Sequence, residues 1–544
     1  MQLTPSGHVD TFCRDRLPPA ELWPDFRFDL PELAAYPHML NAAGELLQHD
    51  SPGAPCLAGT DGTGYTYGET DLISGQLAGL LAEEGLVPGN RVLLRGPNSP
   101  WLALSWLAVL KAGGVAVTTM ALLRAREIAT IAELTEPAMA IVDHRFTADL
   151  AEGAPTIKQI VYGDGALETR LARRAPLAPH ATAADDVAIL APTSGTTGRP
   201  KVTMHFHRDL LAVADTFSSH LIRPEPADVF TGTPPLGFTY GLGGLLLFPL
   251  RQGASTLLVE RATPAELAGH IHEHRVSVLS TAPIAYRGLV EHAKKLTSLR
   301  RCVSAGEHLP KTVWQDFHDT TGLKIIDGIG STEMLHIFIA SADDDIRPGS
   351  TGRTVPGYHA TVLDDEGHPA GPDQPGRLAV KGPTGCRYLR DPRQAAYVQN
   401  GWNLTGDTYT MDGDGFFWFQ ARSDDMIISA GYNIAGPEVE EALLGHADVA
   451  EVAVIGAPDT DRGMIVQAWV VLRAGVAGDD AKSKELQEFA KKSIAPYKYP
   501  RSVVFTDALP KTISGKTQRY RLREQAAHPE GDGILQSSLG SRPM

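Results

Sequence analysis

The chain has 544 residues, 43% of them apolar and 21% charged, with 49 basic against 64 acidic side chains and so a net charge of −15. That length calls for about two to four domains rather than one core, and the acidic balance argues against a nucleic-acid partner. Four cysteines, Cys13, Cys56, Cys302 and Cys386, stand too far apart to read as metal pairs or a disulfide framework, as expected in a reducing cytosol.

In chain order, the first sixteen residues lack the apolar core of a secretion signal. The long apolar stretch from Leu102 to Leu123 is broken by Lys111 and Gly113-Gly114. It is predicted as a buried helix, a turn and a strand rather than a membrane span. Short apolar runs at Val187–Leu190, Val276–Leu279 and Lys324–Ile326 alternate with helical stretches, the pattern of an α/β architecture with largely parallel sheets. From about Gly376 to Phe419 the texture turns to short strands and Gly/Asp turns, which predicts a small β-rich subdomain. After Arg422-Ser423-Asp424-Asp425 comes a compact α+β segment. It has a helix start at Gly436-Pro437-Glu438, strands at Val449–Ile455 and Ile465–Leu472, and a helix over Ser483–Lys492. The predicted division is therefore 1–423, with two α/β sheet subdomains and the β-rich one, and 424–544, a small mobile domain.

Three stretches carry chemistry. The strand Val187–Leu190 runs into Thr193-Ser194-Gly195-Thr196-Thr197-Gly198-Arg199-Pro200-Lys201. Glycines let the backbone turn, while hydroxyls, free N–H groups and a lysine suit a polyphosphate. A plain surface Gly/Thr loop is the bland alternative. Asp327-Gly328-Ile329-Gly330-Ser331-Thr332-Glu333 puts one carboxylate in a loop of small residues, where it can hold Mg²⁺ shared with phosphates or simply start a helix. Leu509–Arg519 ends in Gly515-Lys516-Thr517 like a P-loop, but Pro510 stands where that motif needs a glycine and an N–H donor. This stretch lies in a segment, Lys491 to Arg523, with nine basic residues and one acid, Asp507.

Together with Thr405-Gly406-Asp407, Arg422-Ser423-Asp424-Asp425 and Gly431-Tyr432-Asn433, these motifs resemble, in order, those of the adenylate-forming superfamily of acyl- and aryl-CoA synthetases, luciferases and adenylation domains. The likeness runs from Tyr65 to Arg519. It implies ATP, Mg²⁺ and CoA as cofactor and co-substrates. The nucleotide would be bound by Thr193, Ser194, Gly195, Thr196, Thr197, Gly198, Lys201, Asp327, Gly328, Asp407 and Arg422, the last two at the ribose. Glu333 would hold Mg²⁺ and Thr332 would donate to the α-phosphate. Lys516 would bridge carboxylate and α-phosphate during adenylation. Asp424 matches the hinge about which the small domain turns, and Gly431 with Tyr432 the path of the CoA thiol. The usual glycine before the arginine is Ala421 here.

For the acid, Phe238, Tyr240, Gly241, Ala305, Gly306, Gly330, His336 and Ile337 match the acyl pocket. Aromatic walls and thin floors suit a flat ring, and Met334–Phe338 is similar to benzoate–CoA ligases. His336 stands open between a substrate-facing role and that of a satisfied core histidine. Thr119–Glu127, and Asp10-Thr11-Phe12 through Leu17-Pro18-Pro19, look like 2-aminobenzoate–CoA ligases. The resemblance thus implies a cytoplasmic ligase that turns benzoate or 2-aminobenzoate into an aryl-CoA through an aryl-adenylate, with no membrane partner, as a monomer or a homodimer. The competing readings are an adenylation enzyme that loads an aryl acid onto a separate carrier protein, a luciferase-like oxidative use of the adenylate, and a non-enzymatic nucleotide sensor.

Overall fold

The structure, a computed structural model, describes residues 3–193, 200–422, 425–429, 432–459, 463–494, 498–512 and 516–527. The chain divides into two compact units, Met1–Phe419 and Gln420–Met544. The architecture is mixed α/β, with a large N-terminal and a small C-terminal part.

The apolar stretch near residue 100 explains how the first unit is built. Ser99 caps the helix Pro100–Lys111 by accepting from the Leu102 N–H, and Pro100 opens its first turn. The helix is apolar on all sides and therefore buried. Gly113, at φ +74, turns the chain directly into the strand Val115–Met120. That strand lies inside a six-stranded sheet ordered Lys158–Tyr162, Met139–Asp143, Arg91–Gly96, Val115–Met120, Val187–Thr193 and Lys201–Phe206. All its neighbours run parallel except the last pair, which is antiparallel with Thr193 opposite Lys201. The hydroxyl-rich loop is thus the connection of a hairpin, held at both ends by a ladder.

A second, nine-stranded sheet runs from Arg353–Thr354 through Ile337–Ala340, Ile325–Gly330, Arg301–Ala305, Val278–Thr281, Val229–Gly232, Ser255–Leu258 and Pro55–Gly59 to Gly64–Thr66. Its middle is parallel, and its edges close with antiparallel pairs. The strand expected at Val276–Leu279 forms at Val278–Thr281. The one expected at Lys324–Ile326 extends to Gly330, because its pairing with Ile337–Ala340 carries it past the parallel ladder. Five further strands, His359–Leu363, Gly376–Lys381, Val398–Gln399, Trp402–Met411 and Phe417–Arg422, make the β-rich subdomain.

The second unit packs the sheet Val449–Asp459, Gly463–Leu472 and Ser502–Phe505 against the helices Gly436–Leu444 and Asp480–Ser493. The second helix starts three residues before its expected start because Asp479 accepts from the Lys482 N–H at 2.8 Å. Among the described residues no helix is long and apolar enough to cross a membrane.

Candidate active site

In parallel sheets, side chains that meet a ligand gather past the carboxyl ends of the strands. The chain leaves the strand Ile325–Gly330 there and makes a tight turn at Ser331–Leu335. Ser331 Oγ accepts from the Met334 N–H at 3.1 Å, and Leu335 is held at φ +70, a left-handed conformation costly for a leucine. The turn delivers Glu333, whose side chain is 12% exposed and so reachable by a ligand. Its Oε1 accepts from the Tyr388 hydroxyl at 2.5 Å. Lys201 Nζ donates to the same hydroxyl at 2.9 Å and lies 3.9 Å from Glu333 Oε1. Burial first, and then the Glu333 charge, hold the Tyr388 hydroxyl well above the ordinary phenol range. The first unit therefore brings Lys201, from the hairpin, together with Glu333. Thr193 ends the opposing strand, while Ser194, Gly195, Thr196, Thr197 and Gly198 lie outside the described residues.

A buried charge network supports this turn from behind. His205 Nε2 bonds the Thr332 carbonyl at 2.8 Å, and His205 Nδ1 lies 3.7 Å from an oxygen of Asp209. Asp209 in turn is paired with Arg387, both side chains being fully buried. Burial alone would raise the Asp209 carboxyl; the Arg387 charge, the His205 hydrogen bond and the Arg208 charge together outweigh it, and the net direction is down. The Thr332 side chain itself is 8% exposed.

Asp327 lies six residues upstream of Glu333, on the strand Ile325–Gly330. Its Oδ1 is buried without a hydrogen-bond partner among the described residues, as is Ser304 Oγ at the paired position of the neighbouring strand. Burial pushes the Asp327 carboxyl well above its usual range, the Gly328 N–H opposing. Gly328 has no room for a Cβ, which would meet the Ile337 side chain at 2.8 Å. Asp407 lies on the strand Trp402–Met411, one residue after the left-handed Gly406, with its N–H bonded to Thr405 Oγ1 at 3.2 Å.

Tyr240 and His336, both expected in the acyl pocket, are packed ring to ring. The Tyr240 hydroxyl faces the backbone carbonyls of Thr281 and Val303 at 3.1 and 3.0 Å, so the polar end is tied to the scaffold and the ring acts as an apolar wall. A Cβ on Gly241 would lie 2.1 Å from the Pro235 carbonyl oxygen, and one on Gly330 2.6 Å from that of His336. Ala305 and Ile337 are buried beside these glycines, Gly306 turns at φ +95, and Phe238 is half-buried. His336 is packed among Phe217, Tyr240 and Phe248, with ring centroids 5.6, 5.6 and 4.5 Å away. Its Nε2 meets the Tyr240 carbonyl at 3.3 Å, and burial lowers its pKa to about 3. The neutral ring stands among these aromatic side chains.

In the second unit Lys516 sits on a short loop. Its N–H donates to Thr512 Oγ1 at 3.0 Å, the Thr512 N–H returns a bond to the Lys516 carbonyl at 2.7 Å, and Lys511 pairs with Thr517. Asp424 and Gly431 lie outside the described residues; Tyr432 is placed on the strand Tyr432–Ile434 and Arg422 ends the strand Phe417–Arg422.

Sequence reasoning passed over Tyr388, Gln394, Arg387, Asp209 and His205. The stretch Gly385-Cys386-Arg387-Tyr388 has neither charge pattern nor glycine spacing to mark it. Only pairing with the strand Lys201–Phe206 brings Tyr388 to Glu333.

Known proteins resemble the chain over most of its length. Residues 47–388 match the AMP-binding enzyme family and residues 438–516 the AMP-binding enzyme C-terminal domain. The chain belongs to that family, within the adenylate-forming superfamily, and is an AMP-forming acid–thiol ligase. Benzoate–CoA ligase of Thauera aromatica is 33% identical over 91% of this chain and 97% of its own length. 3-Hydroxybenzoate–CoA ligase of Aromatoleum sp. (strain CIB) is 30% identical over 89% and 97%. The crystal structure of the anthranilate CoA ligase AuaEII in complex with anthranoyl-AMP superposes with a TM-score of 0.87 at 30% identity, over 91% of this chain and 99% of that one.

Proposed function

We propose that the protein activates an aromatic carboxylate of the benzoate or 2-aminobenzoate type with ATP, through an aryl-adenylate, and transfers the acyl group to CoA, releasing AMP and pyrophosphate. The observation that carries the substrate class is the wall around Tyr240. Its hydroxyl is consumed by the scaffold, the backbone at glycines 241 and 330 leaves no room for a side chain, and Phe238 adds a second ring, so the residues matched to the acyl pocket present apolar and aromatic surface. The relatives that act on benzoate, 3-hydroxybenzoate and anthranilate support it. An apolar pocket separates acids that differ by one methylene by only ~1–3 kcal/mol, so related benzoates are also accepted.

The donor set fits Mg²⁺ and ATP. Glu333 offers a hard oxygen, since its Oε2 has no hydrogen bond among the described residues, and the Lys201 ammonium stands beside it. Bound Mg²⁺ supplies neutralisation of the triphosphate charge. Asp327 Oδ1, buried and unpaired, accepts from a donor on the nucleotide, Asp407 and Arg422 take the ribose hydroxyls, and Thr332 donates to the α-phosphate. Thr193 through Gly198 cradle the phosphates. Lys516 joins the carboxylate to the α-phosphate during the first half-reaction and is withdrawn for the second. The small domain turns at Asp424, and Gly431 and Tyr432 then line the thiol path.

The test is AMP release, dependent on ATP and CoA, across benzoate, 2-aminobenzoate, 4-hydroxybenzoate, phenylacetate, cyclohexanecarboxylate and hexanoate. The first two are expected to be the fastest. Faster turnover of hexanoate would overturn the aryl reading and leave the adenylation chemistry standing. Pyrophosphate exchange without AMP release on free CoA would point to a carrier protein as acceptor. Gly431→Leu is expected to block thioester formation and spare pyrophosphate exchange.

A further inference from the structure

The contact between Tyr388 and Glu333 follows from how the segment around residue 388 is built into the first unit. Residues 386–389 run beside the strand Lys201–Phe206 as an added rung: the Met204 N–H donates to the Arg387 carbonyl and the Leu389 N–H to the Val202 carbonyl, both at 2.8 Å. Tyr388 lies opposite Thr203 in that pairing. Its own N–H donates to Gln394 Oε1 at 2.8 Å. Gln394 is buried and anchored through Nε2 to the carbonyls of Leu22 and Cys386 at 2.8 and 3.0 Å. The Tyr388 ring, 1% exposed, meets that of Tyr397 edge-on at 5.8 Å, and the Tyr397 hydroxyl reaches Ser331 Oγ at 3.3 Å. The backbone, the ring and the loop before Glu333 are therefore all fixed around one hydroxyl.

That hydroxyl stands between two opposite charges. It receives a hydrogen bond from Lys201 Nζ at 2.9 Å and gives its own proton to Glu333 Oε1 at 2.5 Å, while ammonium and carboxylate remain 3.9 Å apart. A lysine and a glutamate this close would otherwise close into a direct ion pair, with the carboxylate turned to the ammonium rather than to an incoming cation. One carboxylate oxygen is engaged by Tyr388 and the other has no hydrogen bond among the described residues.

We propose that Tyr388 is a positioning residue: its hydroxyl holds Glu333 off Lys201 and presents the second carboxylate oxygen to the magnesium ion of the bound nucleotide. Partners that orient a metal-binding side chain in this way are worth roughly 10–100-fold in metal affinity or activity when removed. The phenol donates to the carboxylate as a hydrogen bond and stays protonated, so no proton changes hands in the reaction.

This rests on the reading of Glu333 as the magnesium ligand, and the experiment separates the two. Mn²⁺ serves as the probe, its affinity measured by electron paramagnetic resonance on the full chain saturated with a non-hydrolysable ATP analogue. Tyr388→Phe keeps the ring and its packing and removes only the hydroxyl. It is expected to weaken Mn²⁺ binding roughly tenfold. The Mg²⁺ concentration for half-maximal pyrophosphate exchange should rise by a similar factor, with the KM for the aryl acid and the melting temperature unchanged and the rate recovered at high Mg²⁺. Parent-like Mn²⁺ affinity in Tyr388→Phe, alongside a large loss in Glu333→Gln, would overturn the role of Tyr388 alone. Parent-like affinity in Glu333→Gln as well would overturn the reading of Glu333. A loss in Tyr388→Phe that high Mg²⁺ does not restore, together with a lowered melting temperature, would make Tyr388 a packing residue and overturn the proposal too.

Discussion

Glu333 and Lys516 are both single charges in loops of small residues, yet the two units hold them in opposite ways. Glu333 is approached from three remote segments: the hairpin end at Lys201, the rung at Tyr388, and the buried line Arg387–Asp209–His205 behind Thr332. Lys516 stands on a loop closed by its own neighbours, Thr512, Lys511 and Thr517. The first arrangement ties the functional group to the stability of the fold, whereas the bonds named in the second fix the backbone at Lys516. On the proposed function, a metal-holding Glu333 gains from the former, because its geometry is then fixed by the fold.

This contrast can be broken by experiment. The largest effect is expected for Asp209→Ala, which strands the buried Arg387 guanidinium without its partner. Losing one member of a buried pair costs about 3–5 kcal/mol, so both the melting temperature and the pyrophosphate-exchange rate should fall. Unchanged melting would mean that the pair does not brace the turn. Lys516→Ala should do the reverse, lowering adenylate formation by about 10²–10³ at an unchanged melting temperature. It should also leave thioester formation from supplied aryl-adenylate intact; equal loss of both half-reactions would contradict the separate use of this lysine.

Acid should expose the first unit. Burial lowers the pKa of His207 and of His336 to about 3, against about 6.5 unfolded. The unfolded chain binds more protons between those values, so stability present above pH ~6.5 is lost as pH falls towards 3. Denaturant titrations at pH 7 and 5 should show this loss, and His336→Gln should reduce it. The smallest effect is that of Asp327→Asn. A buried carboxyl with a raised pKa stabilises the fold most below its unfolded value and progressively less as pH rises through the folded one. The amide removes that dependence, so the variant should gain on the parent as pH rises above the usual carboxylate range. A pH-independent difference would refute the assignment.

Much of this was legible without coordinates. The break at Gly113-Gly114 in the Leu102–Leu123 stretch announced a buried helix followed by a strand. The 327–333 run reads as a loop of small residues, but its first four positions end the strand Ile325–Gly330, where a Cβ on Gly328 would meet the Ile337 side chain and one on Gly330 the His336 carbonyl. Local rules decide such features: where a glycine must turn, where a helix is capped, which runs are apolar on every side. Tyr388, Gln394, Arg387 and Asp209 obey no local rule. Asp209 and Arg387 are 178 residues apart, and each in its own stretch reads as an ordinary surface residue. Residue types and spacing were enough to determine the α/β architecture with its large and small parts and the family to which the chain belongs. Only the tertiary structure decided which hydroxyl holds Glu333 and which buried pair stands behind it, because those contacts form when distant strands pair, and the cost of burying a charge depends on what else is buried with it.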